Sequence, residues 1–360
     1  MKSIEESYNE IIQNPRKWMY WDYDENTVQK FRDELSDFSS MYQPERVSNI
    51  IKMLLYEGVK NRGSLIQNIE KLDDKRRRHI VSLFFIGHIL YEKIDAIKTK
   101  VNRQLVGLKF PQQDDDKHNE QKLFSFMWIL LCLFHDLGYA YEEGKISPDS
   151  SMSIEEISRK LKSNFYPTIY SPENIKRHND YRLCKWGVKD HGIWGGKAFF
   201  KDMLQIKEIL KKSSHLKEKT NVFCSDDVDH IYAYAAWIIM CHNLRFNDGT
   251  GEYFRCFKCQ HLDSFIKRKA RCISLKSNPL LFLFCLADTI EPTKVLCSQK
   301  ENAKKSEDIC KLLELDLNNG ELSFNLDRLI DYKVGDDYKN SISSMNEWLI
   351  DVSDKLVIRF

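Results

Sequence analysis

The sequence predicts an all-α protein, and three observations carry that expectation. Glycine (14) and proline (8) are sparse over 360 residues, which favours helix over an all-β architecture. Apolar residues fall in helix-length runs rather than short alternating ones, as in FSFMWILLCLFHDLGYAYE, IYAYAAWIIMCHN and NPLLFLFCLADTIEP. Helix-start residues precede two of the runs: Asp190 as an N-cap and Asn278-Pro279 as a cap followed by proline. Hydrophobic residues make up 42% of the chain, enough for a substantial core in one large domain or two ordinary ones.

The elements follow in order. Residues 1–70 read as a helical N-terminal extension, with VSNIIKMLLYEGV as its amphipathic part. A long helix is expected over 75–100, after the basic run KRRRH, and a polar, exposed loop over 111–121. Residues 122–137 are apolar on nearly every face, so they predict a buried central helix, with Gly138 as its stop. Residues 140–189 form a long insertion containing Ser147-Pro148 and Ser171-Pro172, of a length that suits a lid or binding loop. A helix is expected from the Asp190 cap through His191 to about Lys212, another over 229–243, and an irregular insertion over 244–272. The helix opened by Asn278-Pro279 must end before Pro292. LLELDLNNGELSFNL predicts a small C-terminal β-hairpin around Asn318-Asn319-Gly320, and a last helix is expected over roughly 342–355. The implied organisation is an extension (1–70), a main domain (71–300) and a C-terminal hairpin with a helix (301–360).

Composition narrows the function classes. A net charge of +2 gives no global field toward nucleic acid or membrane, so neither is an expected partner. The charged start MKSIEESYNE lacks the apolar run of a signal peptide. The strongly apolar run Phe124–Phe134 is too short to span a bilayer. The ten cysteines are scattered, several within apolar helices, and read as reduced core residues of a cytoplasmic protein.

Six residues stand out: His79, the pair His135-Asp136, His191, His242 and Asp288. Most end, or lie inside, an otherwise apolar helical run, where a carboxylate or imidazole is costly unless it is paired or binds a metal. A lone histidine in such a run is more often a core residue, and a His-Asp dipeptide alone is a weak signal. Five segments each delivering such a group carry far more. Four histidines and two aspartates exceed the needs of one tetrahedral zinc and fit a two-metal site. Imidazole with carboxylate suits iron or manganese foremost, with zinc, nickel, cobalt and magnesium as further candidates. Two ions about 3.5–4 Å apart can clamp a phosphoryl group.

The order His, His-Asp, His, His, Asp over residues 76–295 resembles the HD-domain superfamily of metal-dependent phosphohydrolases. The resemblance implies an HD-domain helical bundle in which His79, His135, Asp136, His191, His242 and Asp288 are the metal ligands and Asp136 is essential to catalysis. DHGIWGGKA around His191 looks like the family's His-Gly helix start. LADTIEPTK around Asp288 is similar to the symmetrical diadenosine tetraphosphate hydrolase branch, which implies a small phosphorylated substrate, a nucleotide or dinucleotide, cut at a phosphoester or phosphoanhydride. Two features depart from that pattern: the ligand segments are spaced more widely than in the compact branch, and Tyr139 stands where many relatives carry a phosphate-contacting lysine.

On the first ligand helix, His79 and His88 are nine residues apart and so point about 180° apart. The family pattern places the ligand before the apolar run and selects His79. Lys189, Lys197 and Arg245 lie near ligands in sequence and are candidate substrate-binding cations, as are Lys75 and Arg78. Asp190 is a general-base candidate, though capping its helix is its simpler role, and Trp194 reads as core. Cys256, Cys259, His261 and Cys272 have partial zinc spacing, against the simpler reading of unrelated cysteines. The basic run 266–271 reads either as an anion contact or as a solvated face. Two alternatives remain: a di-iron oxygenase, which shares this ligand set, and a non-catalytic module that senses a nucleotide or binds a partner, against which the retention of all six ligand types argues.

Overall fold

A computed structural model describes residues 2–19, 23–55, 68–108, 119–143, 152–161, 170–187, 190–212, 228–244, 259, 261–262, 273–293, 307–309, 314–315, 321–323, 336–345, 349–350 and 357–359. The fold is all-α, with short strand pairs at its margin. In chain order the elements are β1 (Lys2–Ser3), α1 (Ile4–Ile12), α2 (Glu25–Glu34), α3 (Pro44–Leu54), α4 (Asp74–Lys93), α5 (Asp95–Gly107), α6 (Asn119–Phe134) and α7 (Gly138–Glu142). They continue with α8 (Ile154–Lys160), α9 (Pro172–Trp186), α10 (His191–Lys212), α11 (Asp229–Cys241), β2 (Ile273–Ser274) and α12 (Pro279–Ile290). The C-terminal part holds β3 (Glu314–Leu315), β4 (Glu321–Ser323), α13 (Asp336–Ser343), β5 (Leu349–Ile350) and β6 (Val357–Arg359).

Four helices carry the core. In α4 every residue from His79 to Tyr91 is buried, as is all of α12 and nearly all of α11. Helices apolar on every face occupy the middle of a bundle, with others packed around them. The apolar stretch Lys122–Glu142, which holds most of α6 and all of α7, has 89% of its most apolar window inside the fold. Outside this centre, α1 and α3 pack on α4 through one amphipathic face each. The N-terminal part thus covers the first ligand helix, its Trp18 and Tyr8 meeting Phe84 and Phe85 edge to face.

The caps explain where several helices begin. Asp73 accepts from the Arg76 amide at 2.8 Å to open α4, and Asp190 accepts from the Ile193 amide at 3.1 Å to open α10. The long helix expected over 75–100 is two: Ile94 adopts an extended conformation, and α5 restarts at Asp95. Gly138 is not a helix stop. A Cβ there would lie 1.7 Å from the His191 carbonyl oxygen, so glycine is what lets α7 press against the first turn of α10. Gly196 serves the same purpose one turn on, where a Cβ would stand 2.5 Å from the Ala236 carbonyl of α11.

The C-terminal hairpin is corrected. Strands do flank Asn318-Asn319-Gly320, but β3 pairs antiparallel with β1 and β4 pairs parallel with β6. The expected helix over 342–355 is also displaced: α13 ends at Ser343, and Leu349–Ile350 instead forms β5, parallel to β2 at the entrance to α12. Tyr338 of α13 donates to the Ile290 carbonyl at 2.7 Å, tying the C-terminal part to the last ligand helix.

Candidate metal centre

Five elements deliver the six predicted ligands to one place. His79 lies on the second turn of α4, His135 and Asp136 follow the end of α6, and His191 opens α10. His242 caps the end of α11, and Asp288 lies on the last turn of α12. They form two buried groups, His79–His135–Asp288 and Asp136–His191–His242, with potential ligand atoms within 4.8 Å of one another in each. Asp136 stands between the groups, its Oδ1 3.2 Å from His135 Nε2 and 3.9 Å from His191 Nε2. His79, His135, Asp136 and His242 are wholly buried, and His191 and Asp288 are each 6% exposed.

Hydrogen bonds fix the ring orientations. A carbonyl oxygen can only accept, so His135 donates Nδ1–H to Cys132 O at 3.0 Å and His242 donates Nδ1–H to Ile239 O at 2.6 Å. His79 directs Nδ1 at the Glu291 carboxylate, 2.5 Å away. In a neutral imidazole this leaves the Nε2 lone pair for the centre. His79 Nε2 and His135 Nε2 stand 3.1 Å apart, with Asp288 Oδ1 at 3.0 and 3.7 Å from them. Electron-rich atoms at that spacing repel unless they share a proton or a cation. Ligands bound at about 2.0–2.2 Å stand about 3 Å apart around a shared ion. The donor set therefore fits metal in both groups.

The choice between His79 and His88 is resolved in favour of His79. His88 is wholly buried between the rings of Phe84 and Phe124, and burial pushes its pKa down to about 3, against a smaller upward pull from the Lys17 backbone. It is a neutral core histidine. Near the centre, burial also raises the Cys132 thiol, and the charge of Asp288 raises it further.

Sequence reasoning missed the groups around the ligands. Glu291 is 1% exposed, and besides His79 it holds Ser82 Oγ at 2.7 Å, the Thr293 amide at 3.0 Å and the Thr293 hydroxyl. Its signal was present: an acid one turn after Asp288 in the same apolar run. Tyr139 stacks on His191 with ring centroids 3.8 Å apart, and Arg76 lies 4.0 Å over the other partner of that stack, Tyr139 itself. Arg76 is in turn held by Asp73 and Glu143, each at 2.7 Å. The Asn243 amide nitrogen lies against His191 Nε2 and 3.4 Å from its Nδ1.

The described part of the 140–189 insertion borders the centre. Glu142 Oε1 lies 3.8 Å from His191 Nδ1 and 3.8 Å from Arg182 of α9. Arg182 also lies 3.7 Å from Asp190, whose other partners are the Ile193 amide and, at 4.0 Å, His178. His178 is held neutral by burial, which lowers its pKa to about 4 against the pull of Asp190. Asp190 is thus the cap of α10 rather than a base aimed at the centre.

The remaining candidates divide. Lys197 extends over the Trp194 ring, 4.6 Å from its centroid, and its charge bears on Glu156 at the start of α8. Its described company is α8 and Trp194 rather than the ligand groups. Lys189, Arg245, Cys256, Cys272 and the basic run 266–271 lie outside the described residues. Cys259 and His261 are exposed. No family model, curated protein or solved structure matches the chain.

Proposed function

We propose that the chain is a metal-dependent phosphohydrolase of the HD-domain type, holding two divalent ions and cutting a phosphoester or phosphoanhydride of a nucleotide or dinucleotide. The observation that carries this reading is the convergence of six ligand-type residues, in the family's order, into two adjacent buried groups with Asp136 between them. Iron and manganese suit this mixture of imidazole and carboxylate best.

His79, His135 and Asp288 would hold one ion and Asp136, His191 and His242 the other, with Asp136 placed to serve both. Bound there, two divalent ions would supply charge neutralisation for phosphoryl oxygens and activation of water. The protein contributes the rest. Cys132 and Ile239 carbonyls keep two imidazoles turned toward the centre. Tyr139 covers one face of His191. All six side chains are buried, His191 and Asp288 the most exposed at 6% each, so the walls hold bulk water off the centre. Arg182, from the insertion, stands between Glu142 and Asp190, next to His191 in the chain's packing through Glu142, and is a described cation placed to take a substrate phosphate.

The test is turnover by Mn²⁺-loaded protein, without oxygen, on a panel of nucleotides and dinucleotides, with Asp136→Ala as control. Release of phosphate or a nucleotide by the wild type alone supports the hydrolase. Activity confined to iron-loaded protein in air would instead establish the di-iron oxygenase, because hydrolysis needs no change of metal oxidation state. Bound metal and a bound nucleotide without turnover would favour the sensing module.

A further inference from the structure

The two ligand groups are built differently. In the inner group, His79 donates Nδ1–H to a carboxylate that is itself fully occupied: Glu291 also takes Ser82 Oγ, the Thr293 amide and the Thr293 hydroxyl. Ser82 lies one turn beyond His79 on α4, and Glu291 one turn beyond Asp288 at the end of α12. The carboxylate therefore joins two ligand-bearing helices and fixes both the tautomer and the rotation of the His79 ring. A negative partner on Nδ1–H also makes Nε2 a better donor. His135 faces His79 at 3.1 Å, so the inner group stands assembled.

The outer group is prepared in part: His242 is fixed by the Ile239 carbonyl at 2.6 Å, whereas His191 is not held by a carboxylate in this way. His191 is placed by stacking on Tyr139 and by the Asn243 amide, which touches the Nε2 that an ion would need. Its nearest described carboxylates, Asp136 and Glu142, stand at 3.9 and 3.8 Å. An ion entering this half must turn Asn243 aside first.

We propose that the two metal positions are unequal and fill in order, the His79–His135–Asp288 position first and more tightly, and that Glu291 is the positioning residue that makes it so. This inference rests on the binuclear reading given above. Glu291 touches neither substrate nor ion; it acts through His79. The position around His191 is the exchangeable one, filled last and lost first.

The experiment is a titration of metal-free full-length protein with Co²⁺, followed by visible absorption and calorimetry, on the wild type, Glu291→Gln and Glu291→Ala. Long-range ¹H–¹⁵N correlation of labelled histidines, taken without metal, reports the His79 tautomer. The wild type should bind two ions in two resolved steps. Glu291→Ala should weaken the first step about 10–100-fold, leave the second nearly unchanged, and release His79 from the Nδ1–H tautomer. Glu291→Gln keeps an acceptor oxygen and should retain the tautomer, with a smaller loss. Equal weakening of both steps in a folded variant would mean a general structural role and overturn the proposal. An unchanged first step, or a single affinity for both ions in the wild type, would overturn it too, while leaving the binuclear reading intact. A wild type that takes up no ion would overturn that reading itself, and this inference with it.

Discussion

His79 and His135 meet Nε2 to Nε2 at 3.1 Å, although they lie 56 residues apart in the chain. Neither nitrogen is turned that way by chance. The far nitrogen of each ring is committed, to Glu291 in one case and to the Cys132 carbonyl in the other. Two lone pairs are thus held toward one point in a buried space shared with Asp288. That arrangement costs free energy in the folded protein unless a proton or cation joins them.

The two histidines of α4 should behave oppositely. His79→Ala should remove the inner ion, dropping metal content by one ion or more per chain, since both groups share Asp136. His88→Phe, in an aromatic pocket, should leave metal content unchanged. Elemental analysis after reconstitution with Mn²⁺ and desalting checks both. Loss of metal in the His88 variant, with the fold intact, would contradict the assignment.

Gly138→Ala should disturb the site without touching a ligand. The added methyl would fall 1.7 Å from the His191 carbonyl oxygen, so α7 and α10 must move apart. Backbone is a poor yielder, and the cost should be at least the 1–3 kcal/mol typical of overpacking, roughly. The variant should melt lower and hold its second ion more weakly. An unchanged melting temperature would show that the close approach is not needed.

Much of the centre was legible in the sequence because most of the six residues end, or lie inside, an apolar run. Burial of such runs is nearly forced, so a polar group within one must find a partner. The order of the six then resembles only a few arrangements. Glu291 obeys the same logic but follows Asp288 so closely that its separate role was hidden. Asn243 and Arg182 carry no such signal: the one is an amide just after His242, the other a cation in a polar helix, and only the packing of α9 and α11 brings them to His191 and Glu142. The strands failed for a related reason. Asn-Asn-Gly marks a turn, but which strand pairs with which depends on partners at the far ends of the chain, β1 and β6, and local propensity says nothing of them. The break at Ile94 lacks glycine or proline altogether; beyond it α5 packs on α6 and α12, a contact that local sequence does not announce.

His88 makes stability fall in mild acid. Its pKa is pushed down to about 3 in the folded protein, against about 6.5 when unfolded, so the unfolded chain takes the proton first. Its contribution is fully present above about pH 6.5 and is lost as pH falls below that value, at about 1.4 kcal/mol per pH unit. Denaturant unfolding of metal-free protein at pH 7, 6 and 5 should show a shallower slope in His88→Leu than in the wild type. Equal slopes would mean that the buried ring does not govern this window.

Arg182→Ala should raise KM for a phosphorylated substrate by about 10-fold, a loss of about 1.4 kcal/mol, with kcat and metal content little changed. Steady-state kinetics with parallel metal analysis separate these quantities. A fall in kcat with KM constant would place Arg182 in the chemistry instead of in binding.

The central claim is that the six residues hold two ions side by side. Anomalous scattering from crystals of Mn²⁺-reconstituted protein tests it most directly. The account predicts two peaks per chain, one about 2.0–2.3 Å from atoms of His79, His135 and Asp288, the other at the same range from Asp136, His191 and His242. An absence of peaks at these residues in fully reconstituted protein, or peaks only at other side chains, would contradict it.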